Sequence, residues 1–302
     1  MFVRKFLEAY FAMTAQDSFY HPDTEKKLKA IEGYLNSYLS VMSNQSFETV
    51  YVDAFAGSGV LPIAGPKGMF GDQVESEELV VGSALRALRL KRKFSRYVFI
   101  EDKKSKIDEL KSRTKNFEGV ADRVQIIRGD ANEEILRLCP YFGRSGVRAL
   151  VFLDPFGNQV GWETLKALAG TKQVDLWYLF PAMLGVYRQI GNLNAKMEPN
   201  KEASLDKLFG PHDWRKAFIE RKEIDDLFGR TETSEKIADV EDITRFKIQC
   251  LKDIFEGGVS DKWLPLGRGG AHWYSLIFAM ANSSPAAVKA GHKIANHIMT
   301  RS

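Results

Sequence analysis

The sequence predicts an α/β protein built on a doubly wound, mostly parallel sheet. Three observations carry that expectation. Short apolar runs alternate five times with segments of helical period before the pattern breaks. The runs are nearly continuous in Val, Ile, Leu, Phe and Tyr, as strands buried on both faces are. Four of them finish on a carboxylate, and the first runs directly into a glycine turn, Tyr51–Gly59, YVDAFAGSG.

Taken in order, Glu25–Met42 places Leu28, Ile31, Leu35, Tyr38, Leu39 and Met42 at helical spacing, with Asp23 or Thr24 as a cap after Pro22. Phe47–Val52 leads into the first strand. Val60–Glu78 holds Pro62, Gly65, Pro66, Gly68 and Gly71 and reads as a loop. Glu78–Lys93 returns to helical spacing, with Ser83 as a cap. Arg96–Glu101 is a second strand, Lys103–Phe117 a charged helix, and Arg123–Asp130 a third strand. Ala131–Leu138 is a short helix, Arg148–Asp154 the most apolar and most central strand, Trp162–Leu168 a helix and Val174–Phe180 a fifth strand. Pro181–Gly270 is then mostly polar and helical in period, with loops at Glu198–Lys201 and Gly257–Ser260. Trp273–Met280 resumes as a strand and Pro285–Met299 closes the chain as a helix. The expected organisation is an N-terminal helical segment (1–45), a core (46–181 and 271–302) and a helical insertion or cap (182–270), placed to cover whatever binds at the strand ends.

The 302 residues, 44% apolar and 27% charged, suffice for a sizeable core. No apolar run approaches the roughly 20 residues of a membrane helix, and the N-terminus lacks the long apolar centre of a secretion signal. Cys139 and Cys250 stand far apart without metal-like spacing, and the histidines show none either, so a reduced, cytoplasmic protein without a metal is expected. The net charge of +4 permits a nucleic-acid partner without requiring one. A local run, Leu88–Arg96, carries Arg89, Lys91, Arg92, Lys93 and Arg96. A solvated helix end explains such a run, and a phosphate-facing patch is the sharper alternative.

The acidic strand ends suggest the chemistry. In a parallel sheet Asp53, Glu101, Asp130 and Asp154 share one edge, where such sheets bind ligands. Capping of the following helices explains a single carboxylate there, less readily four in succession. Gly57 and Gly59 let backbone approach a ligand closely. Glu101 can accept both hydroxyls of a ribose, Asp130 an exocyclic amine of adenine, and Asp53 orients the glycine loop or a cationic ligand group. Adenosine plus a positive centre describes S-adenosyl-L-methionine better than a dinucleotide, which wants a third glycine and a helix starting at once. In Asp154-Pro155-Phe156-Gly157 a carboxylate and a neighbouring carbonyl can accept the two hydrogens of an amine, and an aromatic ring can stack on a base. An ordinary Asp-Pro turn with Phe156 in the core is the plain alternative. His272, before the last strand, is either a substrate contact or a satisfied turn histidine. Neither cysteine has a nucleophile's setting, and there is no Gly-x-Ser-x-Gly elbow and no Walker-type loop.

These residues resemble known families. Asp53–Gly59, DAFAGSG, resembles motif I of Rossmann-type S-adenosylmethionine-dependent methyltransferases, and Asp154–Gly157 resembles their motif IV. Over nearly its whole length, least in Pro181–Gly270, the chain is similar to the three-Cys-motif partner protein family (TcmP). The similarity rests on EKKLKAIEGYL, YVDAFAGSG, VGSALRAL, YVFIED, VFLDPFG and WYSLIFAM. The resemblance implies a Rossmann-like methyltransferase fold. It implies cofactor contacts at Asp53, Phe55, Ala56, Gly57, Ser58, Gly59, Glu101, Asp102, Asp130 and Ala131, and catalysis at Asp154, Pro155, Phe156 and Gly157. It further implies a companion three-cysteine, radical-type iron–sulfur protein. DNA amino-methyltransferases usually carry Asp-Pro-Pro-Tyr, whereas Asp-Pro-Phe-Gly resembles the motif of tRNA guanine-N2 dimethyltransferases, which favours RNA over DNA. The expected function is methylation of a nucleobase exocyclic amine. The alternative is a non-catalytic adaptor of the three-cysteine protein, and methylation of a protein or small molecule comes third.

Overall fold

The computed structural model describes residues 22–62, 79–190, 197–226, 229–267 and 271–301. Seven strands form one sheet in the order β10-β11-β7-β6-β1-β4-β5. They are β1 (Glu48–Asp53), β4 (Arg96–Glu101), β5 (Val124–Arg128), β6 (Val147–Leu153), β7 (Val174–Phe180), β10 (Leu264–Leu266) and β11 (Tyr274–Met280). The neighbours β7, β6, β1, β4 and β5 are parallel, and β11 runs antiparallel to both β7 and β10. The doubly wound, mostly parallel α/β sheet read from the alternation is therefore the architecture.

Side chains of alternate residues leave a strand on opposite faces. In β1, Val50 and Val52 join one core layer, with Ile135, Leu165, Leu208 and Ile248. Tyr51 joins the other, with Ile31, Leu88, Leu110 and Met299. The first layer is covered by α4 (Ala131–Phe142), α5 (Trp162–Gly170), α6 (Pro199–Phe209) and α8 (Val240–Lys252). The second is covered by α1 (Pro22–Met42), α2 (Ser83–Arg89), α3 (Lys104–Thr114) and α9 (Pro285–Arg301). Tyr51, Leu150, Phe152 and Trp177, interior to β1, β6 and β7, are fully buried, which is why these strands read as unbroken apolar runs.

Several boundaries differ from expectation. The segment after β7 is not all helix. A π-helical turn, Ala182–Tyr187, follows the strand. Further on, α7 (Trp214–Phe218) leads into an antiparallel hairpin of β8 (Ile219–Asp226) and β9 (Gly229–Lys236). The polar composition of both strands hid them, because it lacks the apolar alternation by which strands are recognised. The expected loop at Glu198–Lys201 is instead the start of α6, where Pro199 occupies a first-turn position that needs no N–H donor. Around the glycine turn, β2 (Val60–Pro62) pairs with β3 (Leu79–Val81), so the expected loop opens as strand and the expected helix Glu78–Lys93 is a strand before it is a helix, while 63–78 lie outside the described residues. Residues 1–21 and 268–270 also lie outside them. Asp23 does not cap α1: its Oδ2 accepts from the Gly267 backbone N–H at 2.5 Å.

Candidate functional site

From β1 the chain winds outward to β4 and β5, then returns to place β6 on the other side of β1. Ligands of open α/β sheets bind at such a reversal, outside the carboxyl ends of the strands. Asp53 ends β1 and Asp154 follows β6, so the two flank the reversal. Asp53 pairs in register with Phe99 of β4 and Phe152 of β6, which sets Glu101 and Asp154 each two residues further along that edge. Glu101 pairs with Arg128 of β5, and Asp130 stands two residues beyond. Four adjacent strands thus bring the four carboxylates to one rim, spanning roughly 15 Å at about 4.8 Å per strand.

Their roles differ. Asp53 is fully buried. Its Oδ1 accepts from the Phe55 backbone N–H at 3.3 Å and its Oδ2 from the Ser83 hydroxyl at 2.5 Å. Burial raises its pKa to about 7, against the lowering effect of the Ser83 bond. Asp53 therefore orients the glycine loop, one of the two roles expected of it. Ser83, expected to cap α2, is the second anchor of that loop instead, while Gly82 stands at the cap position with no side-chain bond.

The loop is held from three sides. Ala56 N–H donates to Ile100 C=O at 3.0 Å, Gly82 N–H to Gly59 C=O at 2.8 Å, and Arg113 of α3 to Ser58 C=O at 2.9 Å. The two glycines do separate things. Gly59 has φ +83°, and a Cβ there would lie 2.8 Å from Leu85 and 2.9 Å from Leu110. Gly57 has φ +60°, and a Cβ there would meet nothing within 4 Å. Gly59 is thus a packing requirement, and Gly57 presents open backbone at the rim. Gly59→Ala is expected to cost about 2–4 kcal/mol through left-handed strain and overpacking. Gly57→Ala is expected to cost about 1–2 kcal/mol from strain alone. Denaturant unfolding of both variants checks the ordering.

Glu101 is nearly buried, and its Oε1 accepts from the Asp102 and Lys103 backbone N–H groups at 3.1 and 2.9 Å. Burial, reinforced by a hydrogen bond with Asp102, raises its pKa, and that same bond lowers the pKa of Asp102. Asp130 is exposed and caps α4: Oδ1 accepts from Asn132 N–H at 2.9 Å and Glu133 N–H at 3.2 Å. Capping alone accounts for its position, and among the described residues Oδ2 accepts nothing. Ala131 is buried beneath it.

The Asp154–Gly157 turn projects from the rim. Pro155 is buried, Gly157 has φ +69°, and Phe156 N–H donates to Gln159 Oε1 at 2.7 Å. Phe156 is 66% exposed, with the Lys106 ammonium 5.8 Å from its ring centroid, which excludes the core alternative. Asn132 braces the turn. Its Nδ2 donates to Gln159 C=O at 2.9 Å, and its Oδ1 accepts from Gly161 N–H and the Thr164 hydroxyl at 2.9 and 2.8 Å.

Sequence reasoning missed the partner of Asp154. Lys27 of α1 donates to Asp154 Oδ2 across 127 positions of sequence, forming an ion pair with side chains only 12% and 24% exposed. No local signal distinguishes Lys27 from Lys26 or Lys29. Ser83, Arg113 and Asn132 were missed for the same reason.

Other expected features fall elsewhere. The basic run Arg89–Arg96 precedes β4 and so lies at the opposite edge, about a strand's length, roughly 17 Å, from Glu101. There Lys93 donates to Leu88 C=O at 2.7 Å and Arg96 pairs with Glu48 at 3.3 Å. Arg89, Lys91, Arg92, Lys93 and Arg96 are all exposed there, as both readings of the run require. His272 bonds to the Ser275 hydroxyl at 2.8 Å, and burial lowers its pKa. Burial raises the Cys139 thiol to about 11 and Cys250 to about 12, so both rest as thiols. A cavity of about 620 Å³ near Trp162, Gly210, His212 and Asp253 contains none of the expected site residues. Among the described residues, no helix is long and apolar enough to cross a membrane.

Fold and site together define a Rossmann-like α/β protein with an acidic edge and a glycine loop at its topological reversal. No family model matches the chain, and no curated protein does. Among solved structures, protein LPL1258 from Legionella pneumophila is 12% identical and has a TM-score of 0.39, with 68% of this chain and 83% of that one covered. The glycopeptide N-methyltransferase MtfA complexed with S-adenosyl-L-homocysteine is 13% identical and has a TM-score of 0.34, with 87% and 91% covered. Likeness at these TM-scores carries no weight for function.

Proposed function

We propose that the protein is an S-adenosylmethionine-dependent methyltransferase acting on an exocyclic amine of a nucleobase, in RNA rather than DNA. The observation that carries this reading is the placement of Asp154 and the exposed Phe156 across the strand reversal from the Asp53-anchored glycine loop. The residues fit the cofactor: among the described residues nothing lies within 4 Å of where a Gly57 Cβ would stand, and Glu101 and Asp130 stand beyond it on adjacent strands.

When bound, S-adenosylmethionine supplies an electrophilic methyl group on a sulfonium. The chain's own residues hold and orient the amine. Asp154 Oδ1 and the Pro155 carbonyl accept hydrogen bonds from its two N–H groups, which localises the nitrogen lone pair for in-line attack, and Asp154 takes the proton that the methylated nitrogen gives up. Phe156 stacks on the base, an interaction worth about 1–3 kcal/mol per base. Asp53, Ser83 and Arg113 keep the glycine loop in place without touching the reacting atoms.

Calorimetry with S-adenosylmethionine and S-adenosylhomocysteine tests the reading, and an absence of heat at high micromolar concentration would sink it. Tritiated methyl donor with total nucleic acid tests the rest. Label in RNA supports the enzyme, while cofactor binding without label supports an adaptor of a three-cysteine iron–sulfur protein. Phe156→Ala is expected to raise KM for the labelled RNA roughly 5- to 150-fold, the span of that stacking energy. Because the ring is exposed, stability is expected to stay within about 0.5 kcal/mol, with cofactor affinity unchanged.

A further inference from the structure

The Lys27–Asp154 pair bears on which amines the site can accept. Lys27 is not a loose surface lysine. It projects from the second turn of α1, between Leu28 and Ile31, both 2% exposed, on one side and the rim on the other. That turn is fastened on both flanks. Glu25 holds the Arg86 guanidinium of α2 through two contacts, 2.5 and 3.2 Å, and Glu32 adds a third at 3.4 Å. Asp23 binds the Gly267 backbone at 2.5 Å. The helix that delivers Lys27 is therefore set against the reversal of the sheet by contacts to elements on either side of it.

The ammonium changes the charge of the corner. Asp154 carries the negative charge expected to meet the substrate amine, and Lys27 cancels it through Oδ2. The neighbouring carboxyl, Asp53, lies within the field of both groups and is itself buried. Among the described residues the other carboxyl at this corner, Asp53, is buried and its oxygens are taken by Ser83 and the Phe55 N–H, so what the pair offers an incoming amine is Oδ1, an acceptor on a carboxylate whose charge Lys27 offsets. A neutral aryl amine needs only that acceptor. An alkylammonium or a guanidinium brings a full positive charge beside a fixed ammonium in a half-buried corner, where like charges repel far more strongly than in water.

We propose that Lys27 is the charge-selecting residue of the site: by neutralising Asp154 it reserves the acceptor for a neutral exocyclic amine and rejects cationic amines such as lysine or arginine side chains. This rests on the methyltransferase reading for the role of Asp154, and it decides between the nucleobase and protein substrates that reading leaves possible. Lys27 acts through Asp154 and is a positioning residue.

The test is one of binding, so it does not require turnover. Saturation-transfer NMR is run in the presence of S-adenosylhomocysteine with two probes, n-butylammonium and a mixture of adenosine, guanosine and cytidine. Wild type is expected to show no contact with butylammonium. Lys27→Met leaves a bare carboxylate and is expected to show that contact at a signal at least tenfold above the wild-type background. Lys27→Arg restores the rejection, and the double variant Lys27→Met/Asp154→Asn loses the gained contact. Lys27→Gln serves in place of Lys27→Met should the latter fail to fold. A Lys27→Met protein that ignores butylammonium, a wild type that binds it, or a gain that survives Asp154→Asn would each overturn the proposal. Failure of S-adenosylhomocysteine to bind wild type in calorimetry strikes the underlying methyltransferase reading instead. The butylammonium comparison, run without the nucleoside, still decides the charge selection.

Discussion

Asp154→Ala is expected to cut methyl transfer to RNA by about 10²–10⁴-fold, the usual span for removing a positioned proton acceptor. S-adenosylmethionine affinity is expected to stay within a few fold, because the glycine loop is anchored through Asp53, Ser83 and Arg113 and not through Asp154. The variant also strands the Lys27 ammonium, a cost of about 1–3 kcal/mol. Asp154→Asn separates the two effects: it keeps an oxygen for Lys27 and should lose activity with a smaller loss of stability. Single-turnover transfer from tritiated donor, alongside calorimetry on the same preparations, makes the measurement. If Asp154→Ala instead abolishes cofactor binding, the division of labour between the two sides of the reversal is wrong.

Lys247→Met is expected to stabilise the fold, most of all at acid pH. Lys247 is fully buried on α8, with its ammonium 2.7 Å from the Leu208 carbonyl and 5.2 Å from the Trp162 ring centroid. Burial pushes its pKa down to about 7. The unfolded chain keeps a lysine value near 10.4. Between about pH 7 and 10 the unfolded state therefore binds more protons than the folded one, so wild-type stability rises with pH in that window. Below pH 7 both states are protonated, and the full cost of a buried cation is present. Met has similar length and no charge. It is expected to stabilise the fold by about 1–4 kcal/mol at pH 6, less roughly 1 kcal/mol for the Leu208 carbonyl left without a donor. The gain should shrink steadily toward pH 10. Urea unfolding at pH 6, 8 and 10 checks it, and a gain that is flat across pH would contradict the burial argument.

The two changes also mark how far the sequence could be read. Asp154 was legible because it sits in a four-residue turn directly after the most apolar strand, and strand direction alone puts that turn at the ligand edge. Glu101 and Asp130 were legible as rim residues for the same reason. Their bonding was legible only in part: capping of the next helix, which Asp130 performs on α4, is a local alternative that the sequence offers, whereas no pattern announces that Glu101 folds back onto two backbone N–H groups. Lys247 stood in a helix of ordinary amphipathic period, where a lysine is normally solvated. Its burial follows from the packing of α6 and α5 over it, which no window of sequence contains. The β8–β9 hairpin escaped because polar strands paired only with each other lack the apolar alternation by which strands are recognised.

The sequence by itself determined the period and order of the elements, and with them the doubly wound parallel sheet and the edge that carries the acids. Those follow from local spacing and from the fixed direction of parallel strands. Only the tertiary structure decided what each acid touches: Ser83 on Asp53, Lys27 on Asp154, Arg113 on the glycine loop. Such pairs join positions 30 to 127 residues apart. Their distances are set by how helices seat on the two faces of the sheet, a property of packing that pattern along the chain does not encode.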